Sequence, residues 1–166
     1  PRVLAEVHLS NGLPAFNVVG MPETAVRESK DRVRSALINS HFDFPDRRIT
    51  VNLAPADLPK GSGRFDLPIA LGILVASGQL PGDSLLQREF FGELALDGSL
   101  RPVRGLLPAI MAAINDGANA VVPGDTAWPA VPLPQGRLLP ARDLLSLCAC
   151  LRGRVPFESF DQRQSD

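Results

Sequence analysis

The stretch "LPKGSGRFDLPIALGI", Leu58 to Ile73, decides how the chain is read. A lysine, two glycines and a serine stand together ahead of an apolar run. Three readings compete: a loop that cradles phosphate, a serine nucleophile at the start of a helix, or a strand-to-helix turn. A phosphate loop needs its glycines ahead of a Lys-Ser/Thr pair, so that backbone N–H groups wrap the phosphates and the lysine reaches them. Here Lys60 precedes Gly61-Ser62-Gly63 and Arg64 follows, so the spacing fails. Serine catalysis needs a nearby base. Ser62 lies between two glycines, which fix its position poorly, and neither His8 nor His41 stands in any sequence relation to it. Asp66 opens the apolar run, where a helix N-cap belongs, which predicts a side-chain bond to a backbone N–H two or three residues on. The stretch therefore reads as a loop followed by a largely buried helix from Asp66 to about Ser77.

Upstream, Ala5, Val7 and Leu9 alternate with Glu6, His8 and Ser10, the pattern of a half-buried strand. Asn11-Gly12 supplies a hairpin-type turn before a second strand at Phe16 to Val19. Glu23 to Asn39 reads as an amphipathic helix with Val26, Val33 and Leu37 on its buried stripe, and Pro22 sits where a first turn tolerates it. In "RRITVNLAP" Ile49, Val51 and Leu53 alternate with Thr50 and Asn52, a strand with one polar face.

Downstream, "EFFGELALDGSLRPV" is a hairpin turning at Asp97-Gly98. Leu106 to Asp116 is a helix closed by Gly117, "NAVVP" is a short strand, and "GRLLPARDLLSLCACL" is a strand and a last helix. This order predicts an α+β fold, a mixed α/β sandwich. Residues 1–152 form the domain, and 153–166 read as a polar tail or linker.

A chain of 166 residues with 45% hydrophobic content suits one domain with a real core. The net charge of −1 gives no bulk field toward nucleic acid or membrane, so such contact needs a local patch. Cys148 and Cys150, two apart in an apolar segment, point to different faces of a helix, which disfavours a mutual disulfide. Two Cys and two His at unrelated spacings make no zinc site. No apolar run is long enough to cross a bilayer. These features read as a reduced, cytoplasmic protein. The first residue is a proline rather than Met and the last residues are polar, so the chain reads as a piece of a longer polypeptide.

Basic residues supply the remaining signal. Arg27, Lys30 and Arg34 share one helical face, Arg47 and Arg48 enter the next strand, and Lys60 and Arg64 flank the glycine loop. Such clusters can track phosphate backbones. Glu23 and Asp31 stand at salt-bridging spacing on the same helix and weaken its field, so a solvated, ion-paired face is the competing reading.

The blocks "NGLP", "VVGMPE", "RVRSA", "NLAPADLPK" and "DLPIALGIL", in this order and spacing from about Glu6 to Cys150, resemble the ComM/YifB family. These are bacterial magnesium chelatase-like AAA+ ATPases tied to competence. The resemblance implies an N-terminal domain with the fold of the Lon protease catalytic domain, similar also to the second domain of ribosomal protein S5 and the C-terminal domain of the RadA recombination ATPase. An AAA+ motor would follow it, absent from these residues, with ATP and Mg as its cofactors. Lon-type proteases use a Ser nucleophile and a Lys base. Aligned on the helix, Asp66 stands at the nucleophile; aligned on Pro59-Lys60, Arg64 does, because this loop is two residues longer. Leu107 matches the base. Neither half of the dyad keeps its chemistry, so the resemblance implies a non-catalytic accessory domain. It would belong to a DNA motor of ComM-like branch migration in natural transformation, a homo-oligomer forming a hexameric ring. Arg27, Lys30, Arg34, Lys60 and Arg64 are then the candidate contacts to DNA or to a neighbouring subunit. Two alternatives stand beside this one: a serine-type Lon-like peptidase, and a subunit of a magnesium-porphyrin chelatase, for which His8 and His41 offer no companion ligands.

Overall fold

In the computed structural model, residues 4–54, 63–105, 107–124 and 137–157 are described. The N-terminal half is a three-stranded sheet backed by helices. Strand β1 (Leu4–Ser10) is followed by β2 (Ala15–Val19), helix α1 (Glu23–Asn39), β3 (Arg48–Ala54) and α2 (Asp66–Ala76). The sheet order is β1-β3-β2, with β1 antiparallel and β2 parallel to β3. The Asn11-Gly12 turn therefore does not make a hairpin. It carries the chain across β3, whose alternating apolar residues give each neighbour a partner, whereas β1 and β2 alone would leave their apolar residues half covered.

The alternation expected for β3 holds. Ile49, Val51 and Leu53 are fully buried, while Asn52 is exposed. Against their face pack α1, through Val33, Ala36 and Leu37, and α2, in which Leu67, Ile69, Ala70, Leu71, Ile73 and Leu74 are buried. A helix apolar on every side belongs inside a core. Each of its large side chains contributes roughly 1.5–3 kcal/mol of burial.

The C-terminal half adds a short 3-10 turn (Gly82–Leu85), β4 (Arg88–Phe90), β5 (Glu93–Leu94), β6 (Leu100–Arg101), α3 (Leu107–Asn115), β7 (Asn119–Pro123), β8 (Leu138–Ala141) and α4 (Leu144–Leu151). Strands β4-β7-β8 form a parallel sheet, and β5-β6 an antiparallel pair. Strand β7 divides two cores. Val121 faces the main one with Leu144 and Leu147, while Ala120 and Val122 face a smaller one with Ile110, Ala113 and Ile114 of α3. The architecture is the expected mixed α+β. Asp97-Gly98 turns the β5-β6 pair, Ser99 N–H donating to Asp97 Oδ1 at 2.9 Å. Asp143 caps α4, accepting from Ser146 N–H at 2.7 Å. Cys148 and Cys150 form no disulfide, and burial pushes the Cys148 thiol up to about 12. Phe157 packs against the main core.

Candidate functional site

The site is built around the first turn of α2. Gly63 precedes it with φ at +85°, and a β-carbon there would run into the Glu93 carboxylate. The left-handed backbone favours glycine there, while the clash with the flexible Glu93 side chain could be relieved by its moving. Asp66 is the first helical residue. Phe65 holds the N-cap position, and its side chain makes no cap hydrogen bond. The expectation that Asp66 is an N-cap is thus corrected. Its side chain is turned inward and fully buried.

Four donors converge on that carboxylate. Oδ1 accepts from Ser29 Oγ at 2.6 Å and Arg32 Nη2 at 3.3 Å. Oδ2 accepts from Arg32 Nε at 2.6 Å and the Leu94 N–H at 3.2 Å. A carboxylate offers about four lone-pair sites, and all are used. The Arg32 guanidinium binds in the two-pronged geometry that suits a planar anion. Ser29 sits in the buried stripe of α1 with Val33, Ala36 and Leu37, so its hydroxyl reaches Asp66 from within the core. Arg32, on the edge of that stripe, also lies 3.9 Å from Glu28 one turn back. One carboxylate therefore ties α1, α2 and β5 together.

The electrostatics are opposed. Burial pushes the Asp66 carboxyl up, and Arg32, Ser29 and the Leu94 N–H pull it down; the net direction is up. Burial works against the Arg32 cation, but Asp66, Glu93 and Glu28 outweigh it and hold the guanidinium above its ordinary value. The Leu107 side chain, half-buried at the first residue of α3, is not among the partners of Asp66. Both residues stand at helix starts. Leu107 carries no titratable group, and both oxygens of Asp66 are engaged by donors.

The basic candidates separate into groups. Lys30 and Arg34 lie over the Phe16 and Phe44 rings, at 5.8 and 5.2 Å from the centroids, and those rings are 5.6 Å apart. Arg27 is exposed on the same helix. Arg64 stacks at 5.7 Å on Phe65 and lines a different feature, a cleft between α2 and α3. Lys60 and Ser62 lie outside the described residues. The two residues that sequence reasoning misses are Ser29 and Arg32. A serine in line with Val33 and Leu37 is the available signal, since a hydroxyl on an apolar stripe needs a partner. Among the described residues, no group of three or more His, Cys, Asp or Glu side chains is placed to hold a metal ion.

A family model described as subunit ChlI of Mg-chelatase matches residues 5–126. The chain belongs to this family. It is 52% identical over 154 residues to the competence protein ComM of Haemophilus influenzae, a match covering 93% of this chain and 30% of that protein. The protein YifB of Salmonella typhimurium and that of Escherichia coli are each 48% identical over 158 residues, 95% of this chain and 31% of theirs. The chain thus spans about a third of the length of these relatives. The ComM/YifB resemblance read from the sequence blocks is borne out. No helix among the described residues is long and apolar enough to cross a membrane.

Proposed function

We propose that this chain is a non-catalytic accessory domain of an AAA+ DNA motor of the ComM kind, acting in branch migration during natural transformation. Its part is DNA contact or assembly of the ring. ATP and Mg belong, in this reading, to the motor module. The carrying observation is the occupied carboxylate of Asp66, buried with four donors on its two oxygens; it supports the reading if the helix alignment, rather than the one that puts Arg64 at the Lon nucleophile, is the right one. A group so engaged holds the fold and cannot attack a peptide. The competence-protein relative supports the DNA side of the reading. The basic face of α1, with Arg27, Lys30 and Arg34, supports a surface for phosphate or for a neighbouring copy.

The test is salt-dependent binding of the full-length protein to branched and single-stranded DNA. Replacing Arg27, Lys30, Arg34, Lys60 and Arg64 by Ala should weaken binding to all sequences alike. It should also flatten the plot of log K against log salt by about 0.9 for each phosphate no longer neutralised. Unchanged affinity and slope would remove DNA contact and leave ring assembly, read by the oligomer's size. A fluorophosphonate probe, with Ser62→Ala as control, addresses the peptidase alternative. Labelling that disappears in Ser62→Ala would overturn the non-catalytic reading.

A further inference from the structure

The open sheet edges differ in how they are protected. Among the described residues, β1 and β2 are the edges of one three-stranded sheet and β4 and β8 those of the other. An open edge is a template for another chain, and proteins blunt it with charge, proline or shortness. Strand β1 carries Glu6 and His8, β4 has only three residues, two of them Arg88 and Glu89, and β8 contains Pro140. Strand β2, Ala15–Val19, has no charge and no proline. Exposed apolar residues stand at both of its ends: Leu13 is 86% exposed and Val19 56%.

The backbone of β2 shows which groups face outward. The Ala15 N–H donates to the Arg47 carbonyl at 3.4 Å, so Ala15 turns its polar groups toward β3. Successive residues of a strand turn these groups to opposite sides. Asn17 and Val19 therefore serve β3 as well, while Phe16 and Val18 present theirs to the open edge. Among the described residues, these two N–H and two C=O groups have no hydrogen-bond partner.

A second β2, run antiparallel about a two-fold axis at Asn17, matches this edge group for group. Phe16 then faces Val18 of the copy, and Val18 faces Phe16 of the copy, each pair exchanging two bonds. On the core side, Phe16 and Val18, which pack against the main core, meet each other. On the outer face Ala15 meets the exposed Val19, and Asn17 meets itself. Other registers fit worse. An axis at Phe16 sets Val18 against Pro14, which has no N–H to give. An axis at Val18 sets Phe16 against Gly20, whose φ of +107° leaves the strand conformation.

We propose that the β2 edge pairs antiparallel with the β2 edge of a second copy of this chain, joining two three-stranded sheets into one of six strands. The contact is isologous, the same patch serving both copies. With a five-residue strand on each side it falls in the weak class of interfaces, with a dissociation constant of about 0.1 mM. Lys30, which lies over Phe16, brings like charges to the same side of the joined sheet and limits the affinity. The pairing needs no DNA contact, so it stands or falls apart from that reading.

The test is sedimentation equilibrium of the 166-residue chain up to about 0.5 mM, in about 0.15 M salt, where charges more than about 8 Å apart are largely screened. The mean mass should climb from monomer toward dimer as concentration rises. Val18→Pro removes an outward N–H and leaves the ladder to β3 intact, a position where an edge strand tolerates proline. It deletes two of the four bonds in the dimer and should weaken it about tenfold or more, with the melting temperature unchanged. Asn17→Lys sets two ammonium groups face to face at the axis and carries the test if Val18→Pro does not fold. In a Cys150→Ser background, Asn17→Cys should oxidise to a disulfide-linked dimer. The Cα atoms of such a non-hydrogen-bonded pair lie about 4.5 Å apart, within disulfide reach. Val19→Cys should not link, because its two Cα atoms lie roughly 14 Å apart along the strands. A monomer at every concentration, a dimer that survives both Val18→Pro and Asn17→Lys, or Val19→Cys linking as readily as Asn17→Cys would overturn the proposal.

Discussion

Removing the Asp66 carboxylate should be among the most damaging single changes in the chain. In Asp66→Ala the Ser29 hydroxyl and the Leu94 N–H lose their acceptor, and the Arg32 guanidinium loses both prongs. Each orphaned buried donor costs about 1–3 kcal/mol. Breaking a buried pair from one side costs about 3–5 kcal/mol. Arg32 keeps 16% of its side chain exposed and has Glu28 at 3.9 Å, so it can turn partly toward water. The expected loss is therefore near the lower end, about 3 kcal/mol, since the orphaned donors and the broken pair describe overlapping effects. For a chain of this size that lowers the melting temperature by roughly 6–12 °C. Urea unfolding of the wild type, Asp66→Ala, Arg32→Met and the double variant measures it. The double variant should be more stable than the sum of the singles predicts, by about 1–3 kcal/mol, because the second change removes a charge the first left unpaired. Additive singles, or an Asp66→Ala loss below about 1 kcal/mol, would refute the reasoning. Such a carboxylate would then be an incidental partner of Arg32 and no clasp between helices.

Two further outcomes follow from the backbone and one from titration. Gly20 follows β2 with φ at +107°, and a β-carbon there would strike the Leu53 carbonyl oxygen of β3, so Gly20→Ala should cost about 2 kcal/mol or more. Gly117 has φ at +92° with open space around it, so Gly117→Ala should cost only the left-handed penalty of roughly 1–2 kcal/mol; equal losses in urea unfolding would show that the clash with Leu53 is irrelevant. The third concerns pH. Burial raises the folded Asp66 carboxyl above its ordinary value of 3.8, so the folded protein binds that proton more tightly than the unfolded chain. The stability this group contributes is then full below the unfolded value and falls as pH rises through the folded one. The stability difference between wild type and Asp66→Asn should narrow as pH rises through that window, and a widening gap would place the carboxyl below its ordinary value.

Much of the local structure is legible in the sequence because local chemistry decides it. Pro22 and the apolar period of Glu23 to Asn39 mark α1, the alternation of Ile49, Val51 and Leu53 marks β3, and Asp97-Gly98 and Gly117 mark a turn and a helix end. Pairing is less legible. Asn11-Gly12 carries the same signal whether its flanking strands meet each other or a third strand between them, and only the register with β3 decides. Asp66 misleads for a related reason. An acid before an apolar run looks the same from either side of the helix start, whether it caps the backbone or serves Arg32, thirty-four positions earlier. Arg27, Lys30 and Arg34 stand out as a charged face, while Arg32, between them in sequence, points to the interior of the fold. No spacing rule within α1 reveals a partner on α2.

The sheet order has a consequence in time. Strands β1 and β2 are the first parts of this chain to leave the ribosome, yet neither pairs with the other. Their common partner, β3, ends roughly 35 residues after β2 does. At a synthesis rate of about 5–20 residues per second, β2 waits roughly 2–7 s and β1 roughly 2–9 s with their backbone groups and apolar sides open. The nascent segment is most exposed to wrong partners in that interval, and the arrival of β3 closes two edges in one event. Slower translation between residues 20 and 54 would lengthen the wait, and so aggregation during synthesis should respond to codon usage there more than within the α2 segment.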